Sequence, residues 1–161
     1  MLTLAVVLCV ILEIIIDAIF ALIVRRALPK KWFISDKKNF AAGRRERLFY
    51  DKLKIKKWKD YVLDLGAFTG LRKNKIADPK SVDYLRRYIE EANYGVVIHV
   101  ACIFVGFLAM FFYPIKTWLF IGLPVGVVNS FLNLLPLAVL RYNLPKLHKL
   151  LSINEKRLIQ K

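Results

Sequence analysis

The chain is poor in cysteine, histidine, glycine and acidic residues, and each shortage closes off a class of function. Its two cysteines, Cys9 and Cys102, both fall inside long apolar stretches, so a disulfide framework is excluded and they read as small apolar residues. The two histidines, His99 and His148, are remote from one another and share no ligand spacing, so no metal and no cofactor is expected. The seven glycines form no phosphate-cradling loop and no nucleophile elbow. Twelve acidic residues stand against 27 Lys and Arg, leaving a net charge of +15. In a soluble protein that excess would point to nucleic acid. Here the basic residues abut apolar blocks, so nucleic acid is not expected and anionic lipid headgroups are the more economical partner. A phosphorylated substrate such as a coenzyme A thioester fits the same charge.

What the chain has instead is apolar length. Hydrophobic residues make up 57% of it and mean hydropathy is +0.43, although 24% of residues are charged. The two kinds are segregated into blocks. Residues 2–24, 95–113 and 118–140 are each long enough, at about 1.5 Å per helical residue, to cross a hydrocarbon core of about 30 Å. The expected fold is therefore an all-α membrane protein: one integral membrane domain over residues 1–161, with three transmembrane helices. The first apolar run has no basic residue before it, and Arg25-Arg26 follow where a signal peptide would carry small residues. It is read as a retained helix.

Charge sets the expected orientation. Twenty of the 27 Lys and Arg lie in residues 25–94 and six in residues 141–161, leaving only Lys116 in the short connection between the second and third spans. The positive-inside rule then puts the 25–94 segment and the tail in the cytoplasm, and Met1 and Lys116 outside.

The cytoplasmic segment interleaves aromatics with basic residues. Across residues 44–63, apolar side chains at 48, 49, 53, 55, 58, 61 and 62 form a stripe opposite a basic face, the pattern of one amphipathic interfacial helix. Gly66, Gly70 and Arg72 to Lys75 read as a loop. Asp78-Pro79 reads as a cap opening a helix that continues through Glu90-Glu91 into the second span. Residues 141–145, Arg-Tyr-Asn-Leu-Pro, read as an exit turn, followed by a short amphipathic helix.

Five residues within the spans stand out because burying them in lipid costs free energy. Glu13 and Asp17 are spaced i, i+4 on the first, as are Asn129 and Asn133 on the third, so each pair shares a helix face. His99 lies near the start of the second. An ionised carboxylate at a helix centre costs about 2.5–3.5 kcal/mol even on lenient insertion scales, which calls for a partner or a water-filled cavity. Asp17 and Asn133 are each eight residues from a basic flank, Arg25 and Arg141, or about 12 Å along the helix. The expectation is that Asp17, His99 and Asn133 converge on one polar cavity opening toward the cytoplasm. The same residues could instead be contacts between helices or subunits.

The region from Arg44 to Leu151 carries a family likeness. Gly43-Arg44 with Phe49-Tyr50, Lys57-Trp58-Lys59-Asp60 leading to Leu63, Gly66-Ala67, Phe68 and Lys73, the Glu-containing helix before His99, and Asn133 through Arg141-Tyr142-Asn143-Leu144-Pro145 together resemble the glycosyl-4,4'-diaponeurosporenoate acyltransferase family. The resemblance implies a small bacterial cell-membrane enzyme that moves a fatty acyl chain onto a sugar hydroxyl of a carotenoid glycolipid. It carries over onto Trp58, Lys59, Glu91, His99, Asn133, Arg141, Tyr142 and Asn143. The family's Arg-Ala-Glu before the histidine is absent: Tyr94 and Val96 stand at its Arg and Glu positions, and Val100 replaces the aromatic after His99.

The candidate catalytic residues are thus His99, Glu91 and Asn133, with His99 as general base. Arg141, Tyr142, Asn143, Trp58, Lys59, Asp17, Glu13 and Asn129 are the candidate substrate-binding residues, with Asn133, Asn143 or Arg141 as oxyanion donors. The expected acyl donor is a cytosolic thioester of coenzyme A or a carrier protein, and the acceptor a hydroxyl of a glycolipid or isoprenoid glycoside. The alternative is a non-enzymatic membrane subunit or assembly factor of a lipid-processing complex. An oligomer is compatible with either.

Overall fold

A computed structural model describes residues 2–36, 38–62, 76–108 and 118–160. The loop expected around Gly66, Gly70 and residues 72–75, and the connection bearing Lys116, lie outside the described residues. The helices are α1 (Leu2–Ala27), α2 (Arg44–Lys52), α3 (Ile55–Trp58), α4 (Val82–Leu108) and α5 (Leu123–Ile159), with 3₁₀ turns at Lys30–Trp32 and Lys59–Tyr61 and a π-helical turn at Trp118–Gly122. There is no strand among the described residues. Three helices, α1, α4 and α5, are long and apolar enough to cross a membrane.

The chain divides into two compact units, one of residues 1–28 and 97–134, the other of residues 29–96 and 135–161. In the first, α1 turns one face inward: Cys9, Glu13 and Val24 are buried and Asp17 is half-buried. The spacing of these positions, four residues or multiples close to a turn, is that of a helix stripe. Val7, Leu8, Ile11, Ile15, Ile19 and Leu22 are exposed on the rest of α1, the apolar surface of a helix long enough to cross a membrane. Two glycines allow α4 and α5 to approach closely here. A Cβ on Gly106 would lie 2.5 Å from Asn129 Nδ2, and one on Gly126 would lie 3.0 Å from the Phe107 ring. Small residues at such crossings let polar groups on one helix reach the backbone of the next.

The second unit has its own core, in which Ala42, Tyr50, Ile55, Val139 and Tyr142 are buried together, with Trp58, Val62 and Ala138 packed against them. The stretch after α1 is pinned to α4: Phe33 is stacked on Tyr94 with ring centroids 3.8 Å apart, and Asn93 Nδ2 donates to the Phe33 carbonyl at 2.9 Å.

Three local expectations are corrected. The single helix expected over residues 44–63 is broken, because Lys54 adopts φ 53°, the left-handed conformation that ends a helix. Of the expected stripe only Ile55 is fully buried, whereas Leu48, Phe49, Leu53 and Tyr61 are exposed; Tyr50, outside that stripe, is buried instead. The exit turn at residues 141–145 is continuous helix, with both Pro136 and Pro145 inside α5. Pro145 has no N–H to donate to the carbonyl of Arg141, four residues back. The Ala42 N–H donates to that carbonyl at 3.0 Å, so the helix passes through the proline without an orphaned acceptor. Lastly, α4 starts after Ser81 rather than at Pro79. Asp78 Oδ1 accepts from the Lys80 and Ser81 N–H groups, and Ser81 Oγ accepts from the Tyr84 N–H, each at 3.2 Å. Asp78 thus shapes the turn and Ser81 is the N-cap. The expected run of α4 through Glu90-Glu91 toward residue 108 is present as one helix.

Candidate functional site

In the first unit, α1, α4 and α5 each contribute one member of a hydrogen-bonded chain. Asn133 Nδ2 donates to Asp17 Oδ2 at 2.8 Å, and Asn133 Oδ1 lies 2.9 Å from His99 Nδ1. The same Nδ2 is also within reach of the Asn129 carbonyl at 3.1 Å and Asn129 Oδ1 at 3.2 Å. All three of those partners are oxygen acceptors, which fixes the orientation of the Asn133 amide. Its Oδ1 can therefore only accept, so the His99 Nδ1 must carry the proton. In the neutral ring the lone pair is then on Nε2. Asn129 is oriented in turn, its Nδ2 donating to the Cys102 carbonyl at 3.2 Å, and Ser130 Oγ lies within donating reach of the Gly126 carbonyl at 2.9 Å and the Ile103 carbonyl at 3.1 Å.

The convergence of Asp17, His99 and Asn133 read from helical depth is thus realised as direct contact. Asn129 joins it. Glu13 is 4% exposed and lies one turn along α1, lining a small void with Val10, Ile14, Val125 and Leu132. The Asn133 amide N–H groups are engaged by Asp17 and Asn129, and its Oδ1 faces His99 Nδ1. Among the described residues no three His, Cys, Asp or Glu side chains gather as a metal site.

The remaining sequence candidates belong to the second unit. Arg141 is held in a fork by Glu46, Nε to Oε1 at 2.5 Å and Nη2 to Oε2 at 2.6 Å, the bidentate geometry in which charged hydrogen bonds are strongest. The Tyr50 hydroxyl donates to the same Oε1 at 2.5 Å. The Arg141 hydrogen bonds hold the Glu46 carboxyl below its usual range, partly opposed by burial. Burial, and then the hydrogen bond to Glu46, push the Tyr50 phenol up to about 12. Tyr142 donates its hydroxyl to Asp51 at 3.0 Å. Trp58 Nε1 donates to the Leu53 carbonyl at 2.9 Å, an acceptor released where Lys54 ends α2. Lys59 lies 3.9 Å from Asp60. Asn143 is half-buried on α5 and Glu91 half-buried on α4, both in the second unit.

Sequence reasoning missed Glu46, Tyr50 and Asp51. The available signal was composition: in the nine residues of α2, RRERLFYDK, the only acids are Glu46 and Asp51.

No curated protein and no solved structure matches the chain. A family model does, described as glycosyl-4,4'-diaponeurosporenoate acyltransferase, and it aligns over residues 29–153. That match takes in most of the chain, including His99, Asn133 and the Glu46–Arg141 fork, so the protein belongs to the glycosyl-4,4'-diaponeurosporenoate acyltransferase family, whose name is that of an acyl transfer in carotenoid glycoside biosynthesis.

Proposed function

We propose that the protein is a membrane-embedded acyltransferase that moves a fatty acyl group from a cytosolic thioester to a hydroxyl of a glycolipid or isoprenoid glycoside. The observation that carries this reading is the Asp17–Asn133–His99 chain. A sugar hydroxyl is a poor nucleophile at neutral pH, and a base with a lone pair directed by a second residue is the usual remedy. Here His99 Nε2 takes the hydroxyl proton as the oxygen attacks the thioester carbonyl. The C–O bond forms, the C–S bond breaks, and the departing thiolate receives the proton from His99. Asn133 keeps the ring in the competent tautomer, and Asp17 keeps Asn133 in place. Asp17 thereby supplies, from α1, the carboxylate that family sequences carry at the position of Val96, a buried residue here at 3% exposure.

The topology that suits a cytosolic donor has the N-terminus outside and the C-terminus inside a bacterial cell membrane, supported by the distribution of Lys and Arg. Single-cysteine variants, in a background with Cys9 and Cys102 replaced, test it: an impermeant reagent that labels residue 161 from outside intact cells reverses it. The function itself is tested by mass spectrometry of lipid extracts from cells with the parent gene, with none, and with His99→Ala. The expected result is a glycolipid heavier by one acyl group in the first alone. Val96 favours one competing reading, a subunit of a lipid-processing complex in which the polar chain only joins helices. Under that reading His99→Ala and the parent yield the same lipids.

A further inference from the structure

The charge of the second unit is unevenly placed, and part of it surrounds a groove. On α2, Arg44, Arg47, Leu48 and Asp51 recur at i, i+3, i+4 and i+7, so they occupy one face. On α5, Tyr142, Pro145 and Lys146 recur at i, i+3 and i+4. Between these faces, with Lys56 of α3 at one side, lies a cavity of about 390 Å³, within the size range of small-ligand sites. Four cations line it against one carboxylate. That carboxylate, Asp51, already accepts a hydrogen bond from the Tyr142 hydroxyl. Lys146 Nζ lies 4.2 Å from the centroid of the Tyr142 ring, and Lys56 and Lys59 both stand close enough to repel it. Among the described residues no ion pair joins Arg44, Arg47, Lys56 or Lys146 to an acid, whereas Arg141 and Arg86 each have one. Four like charges gathered around a concavity against a single carboxylate raise its potential and favour an anion. Leu48 and Pro145 give the groove an apolar floor, and the Tyr142 ring gives it a flat wall.

We propose that the groove between α2 and α5 is a binding site for a phosphate-bearing ligand, held by Arg44, Arg47, Lys56 and Lys146. Arg44 and Arg47 offer the planar forks that match phosphate oxygens, and the two lysines add point charges. The phosphate comes either from a soluble nucleotide-type molecule or from the headgroup of an anionic lipid. The inference rests on the acyltransferase reading only for its soluble probe, coenzyme A.

Binding is measured with the full-length protein, without turnover. In the first arm the protein is reconstituted in nanodiscs of phosphatidylcholine alone and titrated calorimetrically with coenzyme A. In the second it is released from micelles containing equal phosphatidylcholine and phosphatidylglycerol, and the phospholipid retained is identified by native mass spectrometry. A soluble source gives coenzyme A binding that weakens with salt and falls roughly tenfold in Arg47→Gln and in Lys146→Gln, the loss of one charged hydrogen bond each. A lipid source gives selective retention of phosphatidylglycerol that the same two variants abolish. In either case the double variant Lys30→Gln/Lys31→Gln, which removes exposed charge from the 3₁₀ turn after α1, matches the parent. Should Lys146→Gln fail to fold, Arg44→Gln takes its place. The proposal is overturned if neither ligand binds, or if the groove variants bind as the control does. Phosphate binding in a protein that leaves cellular lipids unchanged would retain the site and remove the acyltransferase reading. Acyl transfer unaffected by loss of the groove's charges, with neither ligand bound, would do the reverse.

Discussion

Asp17 and Glu46 are both partly buried carboxylates held by short hydrogen bonds, yet their partners differ in kind. Asp17 receives an amide N–H from Asn133 at 2.8 Å. Glu46 receives a guanidinium from Arg141 through two bonds, and a phenol besides. The amide carries no net charge, so it transmits orientation: Asp17 sets Asn133, and Asn133 sets the tautomer of His99. The guanidinium is charged at any working pH, so it fixes Glu46 as a carboxylate and ties α2 to α5. One unit thus uses its acid to aim a ring that can exchange a proton, and the other uses its acid as a fastener. In an apolar span, where each added charge is expensive, a neutral amide is the partner that satisfies a carboxylate without adding a second charge.

The sharpest way to break this comparison is at His99. If the first unit is the reactive one, His99→Ala lowers turnover by about 10²–10⁴-fold, the range for losing a general base. Asp17→Asn, which reaches His99 through Asn133, costs less and lowers kcat with KM nearly unchanged. Acyl-transfer assays at matched expression check both. A His99→Ala protein as active as the parent would make the Asp17–Asn133–His99 chain an interhelical contact and no more.

Arg141→Ala addresses the other side. It should destabilise the protein by about 1.5–3 kcal/mol, the worth of a hydrogen bond to a charged group, with the partial exposure of the two side chains, 26% and 29%, keeping it to the low end. Thermal unfolding in detergent measures it. The pH dependence follows from the direction of the Glu46 shift. Its folded-state pKa is below the ordinary 4.5, so the stabilisation is complete above that ordinary value and is lost as pH falls through the lower, folded one. The difference in stability between the parent and Glu46→Gln should therefore be constant from neutral pH down to about 5 and shrink below 4. A difference that grows on acidification would mean that Glu46 is not held by Arg141.

Much of the first unit was legible in the sequence and little of the second, for a physical reason. In an apolar span a polar residue is a rare event, and polar residues set toward the basic-flanked end of each span are enough to point Asp17, Asn133 and His99 at one another. In the second unit polar residues are the background, so nothing marks Glu46 as the partner of Arg141, 95 residues away. Local pattern also misled there. Pro145 reads as a helix end unless one knows that the Ala42 N–H is available to the carbonyl it frees. Lys54 does not read as a break, because a lysine side chain carries no signal for the left-handed backbone it adopts here.

Gly106→Ala tests how tightly the first unit's polar chain depends on helix approach. The added Cβ would lie 2.5 Å from Asn129 Nδ2 and 3.1 Å from its Cβ, so α5 or the Asn129 side chain must move. The expected cost is about 1–3 kcal/mol, typical of overpacking, accompanied by reduced turnover, because Asn129 and Asn133 hydrogen-bond each other at 3.2 Å. Unfolding and turnover measured on one preparation check it. Loss of stability with full activity would uncouple Asn129 from the reactive chain.

The smallest expected effect is at Trp58, and it bears on what the second unit's family residues do. Trp58→Phe keeps an aromatic ring against Tyr50, Ile55 and Val139 in the core and removes only the N–H that donates to the Leu53 carbonyl. That carbonyl is solvent-accessible, so water replaces the lost donor and the cost should fall at the lower end of about 0.5–1.5 kcal/mol for a single neutral hydrogen bond. A fastening role for Trp58 predicts this modest loss of stability with acyl transfer unchanged. A substrate-binding role predicts the opposite split, with KM rising several-fold and melting temperature nearly the same. Measuring both quantities on Trp58→Phe decides between them, since the indole N–H either closes the end of α2 or meets the substrate.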